Sequence, residues 1–275
     1  MEGLLMKVLG ITTCFNRKEI TVHCISSLVS ANHSIDFEFI IADDGSQDGT
    51  AEALEKFDNV VVLKGNSSLF YSGGMRLGIG HAKTSRKTYD YVMFFNDDVG
   101  FYWGAIEKLI NFNQPELCIR VGATDEGNGI FTYGGVRKSS TRKPSYTYFI
   151  SSETIEYVDT FNANCVLIPY EIFMELPNID MEFQHSLGDY DYGLTASKKG
   201  VKIVVTDFFV GKCERNHTKE TWLDRNQSLM VRLKKKESPK GVPFKPYFHY
   251  LCKNYGVLSA VFYSITPYIK LLMGK

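Results

Sequence analysis

The sequence has few cysteines for its length and no excess of charge of either sign. Its 275 residues include six cysteines, and none of them forms a C-x-x-C pair. The wide, irregular spacing fits neither a zinc ribbon nor a dense disulfide scaffold and predicts reduced, mostly buried thiols. Lys plus Arg number 31 and Asp plus Glu number 31, so composition gives nucleic-acid binding no support. An anion would have to be bound by locally placed groups.

A secretory leader and a long apolar run are also missing. The opening "MEGLLMKVLGITTCFNR" has too short an apolar run and too early an Asn-Arg for a signal peptide, which predicts a cytoplasmic location. The uncharged run from Asn254 to Ile269 is interrupted by Pro267 and is shorter than the roughly 20 residues that cross a bilayer. Its aromatic content and cationic flanks fit a helix lying on an anionic membrane surface. A terminal helix packed on its own domain or on the other subunit of a homodimer fits equally well.

The chain does contain a regular alternation of strand-like and helix-like segments from residue 7 to about 125. Apolar runs such as "KVLGITTCF" and "YVMFFND" alternate with segments of helical spacing such as "KEITVHCISSLVSA". Near-continuous apolar strands separated by helices predict an α/β fold in which a parallel sheet is covered on both faces. We predict one domain over 1–233 that divides at about residue 125, a basic linker over 234–246, and an aromatic and apolar helical tail over 247–275.

One acidic stretch, "FEFIIADDGSQDGTAEALE" at 37–55, has two interpretations. It nearly matches a calcium-binding EF-hand loop, with Asp44, Ser46, Asp48, Gly49 and Glu55 at loop positions 1, 3, 5, 6 and 12. It also matches a buried strand that ends in a carboxylate pair and turns into a helix. An EF-hand loop needs a helix on each side, whereas the preceding residues are β-branched and aromatic. The strand-end interpretation is therefore favoured.

A second acidic stretch follows a later buried strand. "YVMFFNDDV" places Asn96, Asp97 and Asp98 at the end of that strand, where adjacent carboxylates repel each other. Either Asp97 or Asp98 caps the next helix, or the pair holds Mg²⁺ or Mn²⁺ together with substrate phosphates. Because parallel α/β sheets bind ligands at the carboxyl ends of their strands, this turn, "TTCFNR" and Asp44 are expected to converge on one crevice. That convergence favours the ion site.

Five motifs, "TTCFNR", "IIADDGSQDGT", "GNSSLFYSGGMRLGI", "FFNDDV" and "GDYDYGL", occur in this order over about residues 7 to 250. In this order they resemble the family 2 glycosyltransferases, which have the GT-A fold, a Rossmann-like, mostly parallel sheet. The tail resembles rhamnosyltransferase-like members that build bacterial surface polysaccharides. The resemblance implies an inverting, Mg²⁺- or Mn²⁺-dependent enzyme at the inner face of the plasma membrane. Its donor would be dTDP-rhamnose or a UDP-hexose, and its acceptor a glycan or lipid-linked saccharide.

The resemblance assigns a nucleotide-binding half to 1–125. It implies that Thr13, Phe15 and Asn16 border the nucleotide, although ordinary core packing also explains Phe15. Asp44 would accept a hydrogen bond from a pyrimidine N3–H, which cytosine lacks. The segment with Gly73 and Gly74 would run beneath the nucleotide, where glycine permits close backbone approach.

Arg76, where many relatives have Asn, would add a cation near the diphosphate or be only a surface charge. Asp97 would contact the ribose, Asp98 the metal, and His217 is either a further metal ligand or a surface histidine.

The acceptor half would be 126–233. By the same resemblance, Asp189 is the general base that takes the proton of the acceptor hydroxyl, although Gly188 stands where relatives usually have Glu. Asp191 would support the acceptor pocket or the start of the helix. Three aromatic side chains are candidate platforms for an acceptor sugar, with core packing as the alternative: Tyr190, Tyr192 and Trp222.

Another enzyme class with a similar fold is the sugar-phosphate nucleotidylyltransferases. These enzymes need a basic, glycine-rich loop after the first strand, and "TTCFNRKE" contains no glycine. We therefore keep the nucleotidylyltransferase as the second interpretation and a calcium-binding module as the third.

Overall fold

The chain alternates strands and helices, as the sequence predicts. The structure is a computed structural model that describes residues 5–113, 115–150, 155–215 and 218–273. The strands are β1 Met6–Cys14, β2 Ile35–Asp43, β3 Val60–Lys64, β4 Tyr91–Phe95, β5 Gly100–Phe101, β6 Ile119–Asp125, β7 Phe131–Tyr133, β8 Gly135–Lys138, β9 Tyr146–Phe149, β10 Glu156–Tyr157, β11 Thr160–Phe161, β12 Cys165–Pro169 and β13 Ile203–Lys212. The helices are α1 Lys18–Ala31, α2 Thr50–Leu54, α3 Phe70–Thr84, α4 Ala105–Asn111, α5 Tyr170–Glu175, α6 Gly188–Lys198, α7 Leu229–Lys236, α8 Phe244–Tyr255, α9 Val257–Tyr263 and α10 Thr266–Leu272.

The strands of the N-terminal half run parallel to one another. The main sheet has the order β10-β13-β6-β12-β4-β1-β2-β3, and a smaller sheet has the order β11-β8-β9. Strand β1 pairs in parallel with both β2 and β4, with Cys14 opposite Asp43 and Ile11 opposite Phe94. The carboxyl ends of these three strands therefore meet at one edge of the sheet. This is the convergence that the sequence predicts.

Strand β12 runs antiparallel between β4 and β6, with Cys165 opposite Phe95. Because β12 is buried on both faces, its apolar pattern does not distinguish a parallel from an antiparallel strand. This orientation brings the residues just before β12 to the edge where β4 ends. The second half of the chain thereby contributes to the same crevice.

Helices cover both faces of the sheet, which confirms the predicted α/β fold. Alternate residues of β1 point to opposite faces, so that Val8 packs in the core formed with α1 and α4, and Leu9 in the core formed with α3, α5 and α6. The two cores meet only across the sheet, which fixes the strand ends between two packed layers.

The tail packs on the domain through a third cluster, which joins α8 and α9 to Leu194 of α6. The sequence predicts a linker over 234–246, but α7 extends to Lys236 and α8 begins at Phe244. Lys236 is fully buried, pairs with Glu237 and lies 3.5 Å from the Tyr268 ring centroid. Pro and Gly residues at 239–243 interrupt the helices, and the surrounding segment is folded. In the part of the chain that the structure describes, no helix is long and apolar enough to cross a membrane.

The calcium-loop interpretation of residues 44–55 is wrong. The segment before the loop is strand β2, whereas an EF-hand needs a helix there. The loop carboxylates instead accept local hydrogen bonds. Asp43 accepts from Ser46, and Asp48 accepts from Thr50 and from the backbone N–H of Lys18 at 3.0 Å. These bonds shape the turn that leads into α2.

The six cysteines are free thiols, and all but Cys252 are buried. The predicted reduced, mostly buried state is confirmed.

Candidate active site

The end of β1 is fastened to the end of β2 by short polar contacts. Thr13 Oγ1 donates to the carbonyl of Ala42 at 2.8 Å. Asn16 adopts a left-handed conformation with φ of 51°, and its side-chain oxygen accepts from the Gln47 N–H at 2.8 Å. Between them, the Phe15 ring is 46% exposed. The structure therefore leaves Phe15 an uncovered aromatic surface at the crevice and gives Asn16 a role in shaping the loop.

Asp44 holds the start of α3. Its Oδ1 accepts the Leu69 N–H at 3.1 Å, and its Oδ2 accepts the Phe70 N–H at 2.9 Å. Phe70 has a φ of 54°, a strained conformation that these bonds stabilise. A carboxylate has about four acceptor sites, so Asp44 retains capacity for a further donor.

Gly73 and Gly74 allow close packing, and the groups that pack against them are side chains of this chain. A Cβ on Gly74 would lie 2.7 Å from the Thr13 Cβ, and one on Gly73 would lie 3.2 Å from the Leu69 Cβ. Helix α3 thus packs directly on the end of β1. Both glycines set the floor of the crevice.

Arg76 extends toward the loop that precedes α6. Its Nη1 donates to the carbonyl of Asp180 at 2.9 Å and to that of Phe183 at 3.1 Å. Burial lowers the pKa of this guanidinium, and the nearby Asp180 charge opposes that shift. Arg76 therefore fastens the loop to α3.

The "NDD" turn after β4 is bound to the end of β1 by Arg17. Arg17 Nη1 lies 2.7 Å from Asp97 Oδ1, and Nη2 lies 3.1 Å from Asp98 Oδ2. Thr21 Oγ1 adds a bond to Asp97 Oδ2 at 3.0 Å. Burial raises the pKa of Asp97, Arg17 opposes that shift, and the Asp98 charge adds to it. Arg17 lies within "TTCFNR", but the sequence gives no sign of its contact with the distant "NDD" turn.

The residues of this turn fit a divalent cation. The guanidinium of Arg17 already places a positive charge against both carboxylates, which shows that the site favours a cation. Within the described ranges, no group of three or more His, Cys, Asp or Glu side chains is arranged to hold a metal. The protein thus offers Asp97 and Asp98, and substrate phosphate oxygens would complete the coordination. The remaining predicted ligand, His217, lies outside the described residues.

Two thiols lie beside the turn. Cys213 Sγ is 3.8 Å from Asp98 Oδ1, and Cys24 Sγ is 3.6 Å from the carbonyl of Asn96. Burial and then the Asp98 charge raise the pKa of Cys213 to about 12, and burial raises that of Cys24 well above its ordinary value. In the metal-free protein, burial therefore favours the neutral thiol form of both groups.

Asp189 lies at the start of α6, next to the same turn. Its Oδ2 accepts the Ala163 N–H at 3.4 Å, and the carbonyl of the following residue, Asn164, accepts the Asn96 N–H at 3.2 Å. Burial raises the pKa of Asp189 to about 6, which is suited to a general base near neutral pH. A Cβ on the preceding Gly188 would lie 2.9 Å from the Ser72 Cβ, so the close packing of α6 on α3 requires a residue without a side chain here.

Asp191 is buried and binds polar side chains of α8. Lys253 Nζ lies 2.6 Å from its Oδ2, and Asn254 Nδ2 donates to its Oδ1 at 2.9 Å. Lys253 also contacts Asp180 at 3.0 Å. These contacts hold the start of α6 against α8, which favours the structural role for Asp191 over a place in the acceptor pocket.

The three candidate acceptor aromatics are in different places. Tyr190 is partly exposed beside Asp189, and its hydroxyl donates to that of Tyr148 at 3.1 Å. Tyr192 is 3% exposed and packs in the core, 5.3 Å from the Phe94 ring centroid. Trp222 is partly exposed, and its carbonyl accepts from Arg232 Nε at 3.0 Å. Tyr190 is thus the candidate that the structure places beside Asp189.

A half-buried histidine near Asp189 was not found from the sequence. His185 Nδ1 accepts the Tyr71 N–H at 3.4 Å. Burial and then the Lys240 charge lower the pKa of His185 to about 4. Burial raises the pKa of the Tyr71 hydroxyl, and the nearby Asp189 charge adds to the shift. Both groups are neutral at pH 7, so Asp189 has no cation from this pair beside it.

Comparison with known proteins agrees with this architecture. The model of the glycosyl transferase family 2 matches residues 11–164. Mannosyltransferase PcManGT from Pyrobaculum calidifontis, solved in complex with GDP-Man and Mn²⁺, aligns over 97% of this chain and 76% of its own, with a TM-score of 0.53 and 13% identity. GalNAc-T7, solved with UDP, GalNAc and Mn²⁺, aligns over 75% of this chain and 42% of its own, with a TM-score of 0.57 and 14% identity. No curated protein matches the chain in sequence.

These structures confirm the predicted GT-A fold. The family match spans more than half of the chain and includes the ends of β1, β2 and β4 and the residues just before β12. Those are the segments that carry the acidic turn and the Asp189 contact. The chain belongs to glycosyl transferase family 2.

Proposed function

We propose that the protein is a metal-dependent glycosyltransferase that moves a sugar from a nucleoside diphosphate to a hydroxyl of a glycan or lipid-linked saccharide, with inversion at the anomeric carbon. The observation that carries the proposal is the position of Asp189. A carboxyl group with a pKa of about 6 accepts from the Ala163 N–H, and the next residue, Asn164, accepts from Asn96 of the turn that carries Asp97 and Asp98. Direct displacement at a sugar diphosphate requires a base for the acceptor hydroxyl and a cation that neutralises the departing diphosphate. Asp189 would be the base, and Asp97 and Asp98 would hold the cation at the same crevice.

The donor enters at the ends of β1 and β2. The exposed Phe15 ring offers a stacking surface for a base. The fixed Asp44 carboxylate offers its remaining acceptor capacity to an imide N–H. Uracil and thymine carry such a donor and cytosine does not. We propose dTDP-rhamnose or a UDP-hexose as donor, and GDP enters the test because guanine also carries a ring N–H.

Asp98 and Asp97 would hold Mg²⁺ or Mn²⁺, with Asp97 also facing the ribose. When bound, the metal supplies Lewis-acid neutralisation of the departing diphosphate. Both structural neighbours contain Mn²⁺, which supports this assignment. The chain itself positions the carboxylates through Thr21 and the close packing of the turn on α1.

Asp189 takes the proton of the acceptor hydroxyl as that oxygen forms a bond to the anomeric carbon and the bond to the diphosphate breaks. The carboxylate is held at the helix start by the N–H groups of Ala163 and Tyr190. Tyr190 and Tyr148 border the position of the acceptor. Because the incoming oxygen and the departing diphosphate lie on opposite sides of the carbon, the product is inverted.

Calorimetric titration tests the proposal. UDP, dTDP and GDP are each titrated with and without Mn²⁺ into wild type, Asp98→Asn and the control Asp58→Asn, which changes an exposed carboxyl group in a turn. We expect nucleotide binding that requires Mn²⁺, is lost in Asp98→Asn and is unchanged in the control. Metal-independent binding that survives in Asp98→Asn would remove the ion from this turn. Release of pyrophosphate from UTP or dTTP with a sugar phosphate would instead identify a nucleotidylyltransferase.

A further inference from the structure

The C-terminal helices α9 and α10 expose an apolar face that the rest of the described chain does not cover. Residues Ala260, Ser264, Pro267 and Leu271 are buried at helical spacing. The opposite face consists of large apolar side chains, and Leu258 and Phe262 are 78% and 73% exposed. We call this surface the tail face; its other members are Val257, Val261, Ile265, Ile269, Leu272 and Met273.

The tail face is a continuous stripe, since exposed members recur every three or four residues along both helices. Isolated exposed apolar residues are ordinary, but a contiguous apolar stripe marks a surface that binds a partner or a membrane. The tail face points outward because Gly256, with a φ of 87°, turns α9 back onto α8. Ala260 then enters the third cluster with Leu251.

The charges in the segment that carries the tail face are predominantly positive. The sequence contains no Asp or Glu after Glu237, whereas lysines recur at 240, 245, 253, 270 and 275. Glu237 itself lies against α10, where it accepts from the Tyr268 hydroxyl and is paired with Lys236. Lys253 and Lys245 pair with acidic residues of the domain. Lys270, at the edge of the face, and Lys240 are exposed. The basic last turn of α7 lies against α10, where Lys236 contacts the Tyr268 ring.

We propose that the tail face docks the protein on a membrane surface that contains anionic lipids. An apolar stripe with a cationic border is the arrangement of helices that lie in the interface between lipid headgroups and acyl chains. A stripe of this kind also fits a second copy, but two copies would bring like charges together at the border. A negative bilayer complements both the apolar stripe and its lysines. The inference does not depend on the proposed reaction.

The docking would also orient the catalytic domain. Helix α8 connects the tail to α6 through the Lys253–Asp191 pair, and α6 begins beside Asp189. A protein held by its tail face therefore keeps its acceptor side at a constant distance from the bilayer. A lipid-linked saccharide is the acceptor class that such an arrangement favours.

Co-sedimentation with vesicles tests the proposal on the full chain without nucleotide. We expect wild type to pellet with vesicles of phosphatidylcholine mixed with phosphatidylglycerol, and to bind vesicles of phosphatidylcholine alone less tightly. High salt should reduce the first binding toward the second. The double variant Leu258→Glu/Phe262→Glu should bind about tenfold or more weakly, because it removes two large apolar groups from the contact.

The matched control is Leu117→Glu/Ile130→Glu, which introduces the same two charges at exposed apolar positions outside the tail face, each 55% exposed. It should bind vesicles as wild type does, and circular dichroism should show that all variants are folded. Wild type that binds neither vesicle, or a double variant that binds as well as wild type, would overturn the proposal. A dimer seen by sedimentation velocity and dissociated by the double variant would assign the tail face to a second copy instead.

Discussion

Arg17 neutralises the two carboxylates of the "NDD" turn, a role that the sequence alone did not indicate. It spans two adjacent carboxylates, one of which, Asp97, is almost completely buried. Without a cation, adjacent carboxylates repel and the buried one resists ionisation. In the metal-free protein, the guanidinium thus neutralises the two carboxylates, as a bound divalent cation would.

Replacing Arg17 by Gln should destabilise the metal-free protein and strengthen its response to Mn²⁺. The partly exposed pair contributes about 1–2 kcal/mol, so the melting temperature should fall by a few degrees. Mn²⁺ without nucleotide should then raise the melting temperature of the variant more than that of wild type, because the ion no longer competes with an arginine. Thermal melts with and without Mn²⁺ measure both effects.

The neighbouring cation Lys18 provides the control. Lys18→Gln removes the same charge from the next position, where the contact to Asp48 is made by the backbone N–H and so survives the change. A melting temperature of Arg17→Gln equal to that of wild type, with no added response to Mn²⁺, would show that Arg17 does not stabilise the turn.

Asp189 should impose an acidic limit on the reaction. The proposed base would act as a carboxylate, and burial raises its pKa to about 6. The rate should therefore be constant above that pH and fall about tenfold per unit below it. Asp189→Asn should lower kcat by about 10²–10⁴-fold and abolish the fall in rate at acidic pH. The pH profile of kcat/KM, measured with saturating metal, gives the apparent pKa.

The same substitution should leave folding intact. Because the pKa of Asp189 is raised in the folded protein, its ionisation costs stability as pH rises through about 6. Asp189→Asn removes that cost, so at pH 7–8 the variant should melt no lower than wild type and should still bind nucleotide. A variant that loses nucleotide binding as well would point to a structural role.

Residue types and spacing identified the carboxylates but not their partners. Asp97, Asp98 and Asp189 follow strands or begin a helix, and that position is readable in sequence. The contact of Arg17 with the "NDD" turn joins residues 80 positions apart. The guanidinium of Arg76 goes to backbone carbonyls, which carry no sequence signal. Tyr190 and Tyr192 are two positions apart and point to roughly opposite sides of α6, but the sequence alone does not show which side faces the core.

At the scale of elements, the packing of α3 on β1 determines the depth of the crevice. Gly74 and Gly80 lie in the same helix and face different surroundings. A Cβ on Gly74 would overlap Thr13, whereas one on Gly80 would meet only Asn178 Nδ2 at 3.5 Å. The helix therefore offers a pair of matched substitutions.

Gly74→Ala should destabilise the protein by about 1–3 kcal/mol and weaken nucleotide binding, because the added methyl forces α3 away from β1. Gly80→Ala should be neutral or stabilise by up to about 1 kcal/mol, since alanine favours the helix. Urea unfolding and nucleotide titration of both variants measure the difference. Equal effects of the two substitutions would contradict close packing at Gly74.

Most elements of the N-terminal half were predictable from local sequence. β1, β2 and β4 stand out as short apolar runs rich in β-branched and aromatic residues, and α1 stands out by its helical spacing. The antiparallel direction of β12 and the helical character of 229–236 were not predictable. An apolar run does not show whether a strand is parallel or antiparallel. The helical pattern of 229–236 was obscured by its lysines and by the Pro–Gly segment that follows.

At the scale of the whole molecule, the tail and the domain share buried contacts. Tyr250 and Leu251 of α8 pack with Phe183 and Leu194, and the Lys253–Asp191 pair lies between the two parts. A detachable tail would lack such contacts.

Truncation before Phe244 should therefore destabilise the catalytic domain. Removing α8 takes away the Lys253 and Asn254 partners of Asp191 and exposes the third cluster to water. The cost should be about 3 kcal/mol or more, since each large apolar side chain left uncovered loses about 1.5–3 kcal/mol. Calorimetry of wild type should show one unfolding transition for the domain and the tail together, and the truncated chain should melt well below it. Two separate transitions in wild type, or a truncated chain of unchanged stability, would indicate an independent tail.

The thiols beside the "NDD" turn have a further consequence. Cys24 and Cys213 are buried and protonated, so an alkylating reagent reaches them only when the turn opens. Their labelling rates report the opening of the acidic turn, and Cys118, on the far end of the sheet, reports opening elsewhere. Mass spectrometry of the labelled peptides would show which ligands close the crevice, without a substrate, a dye or an engineered probe.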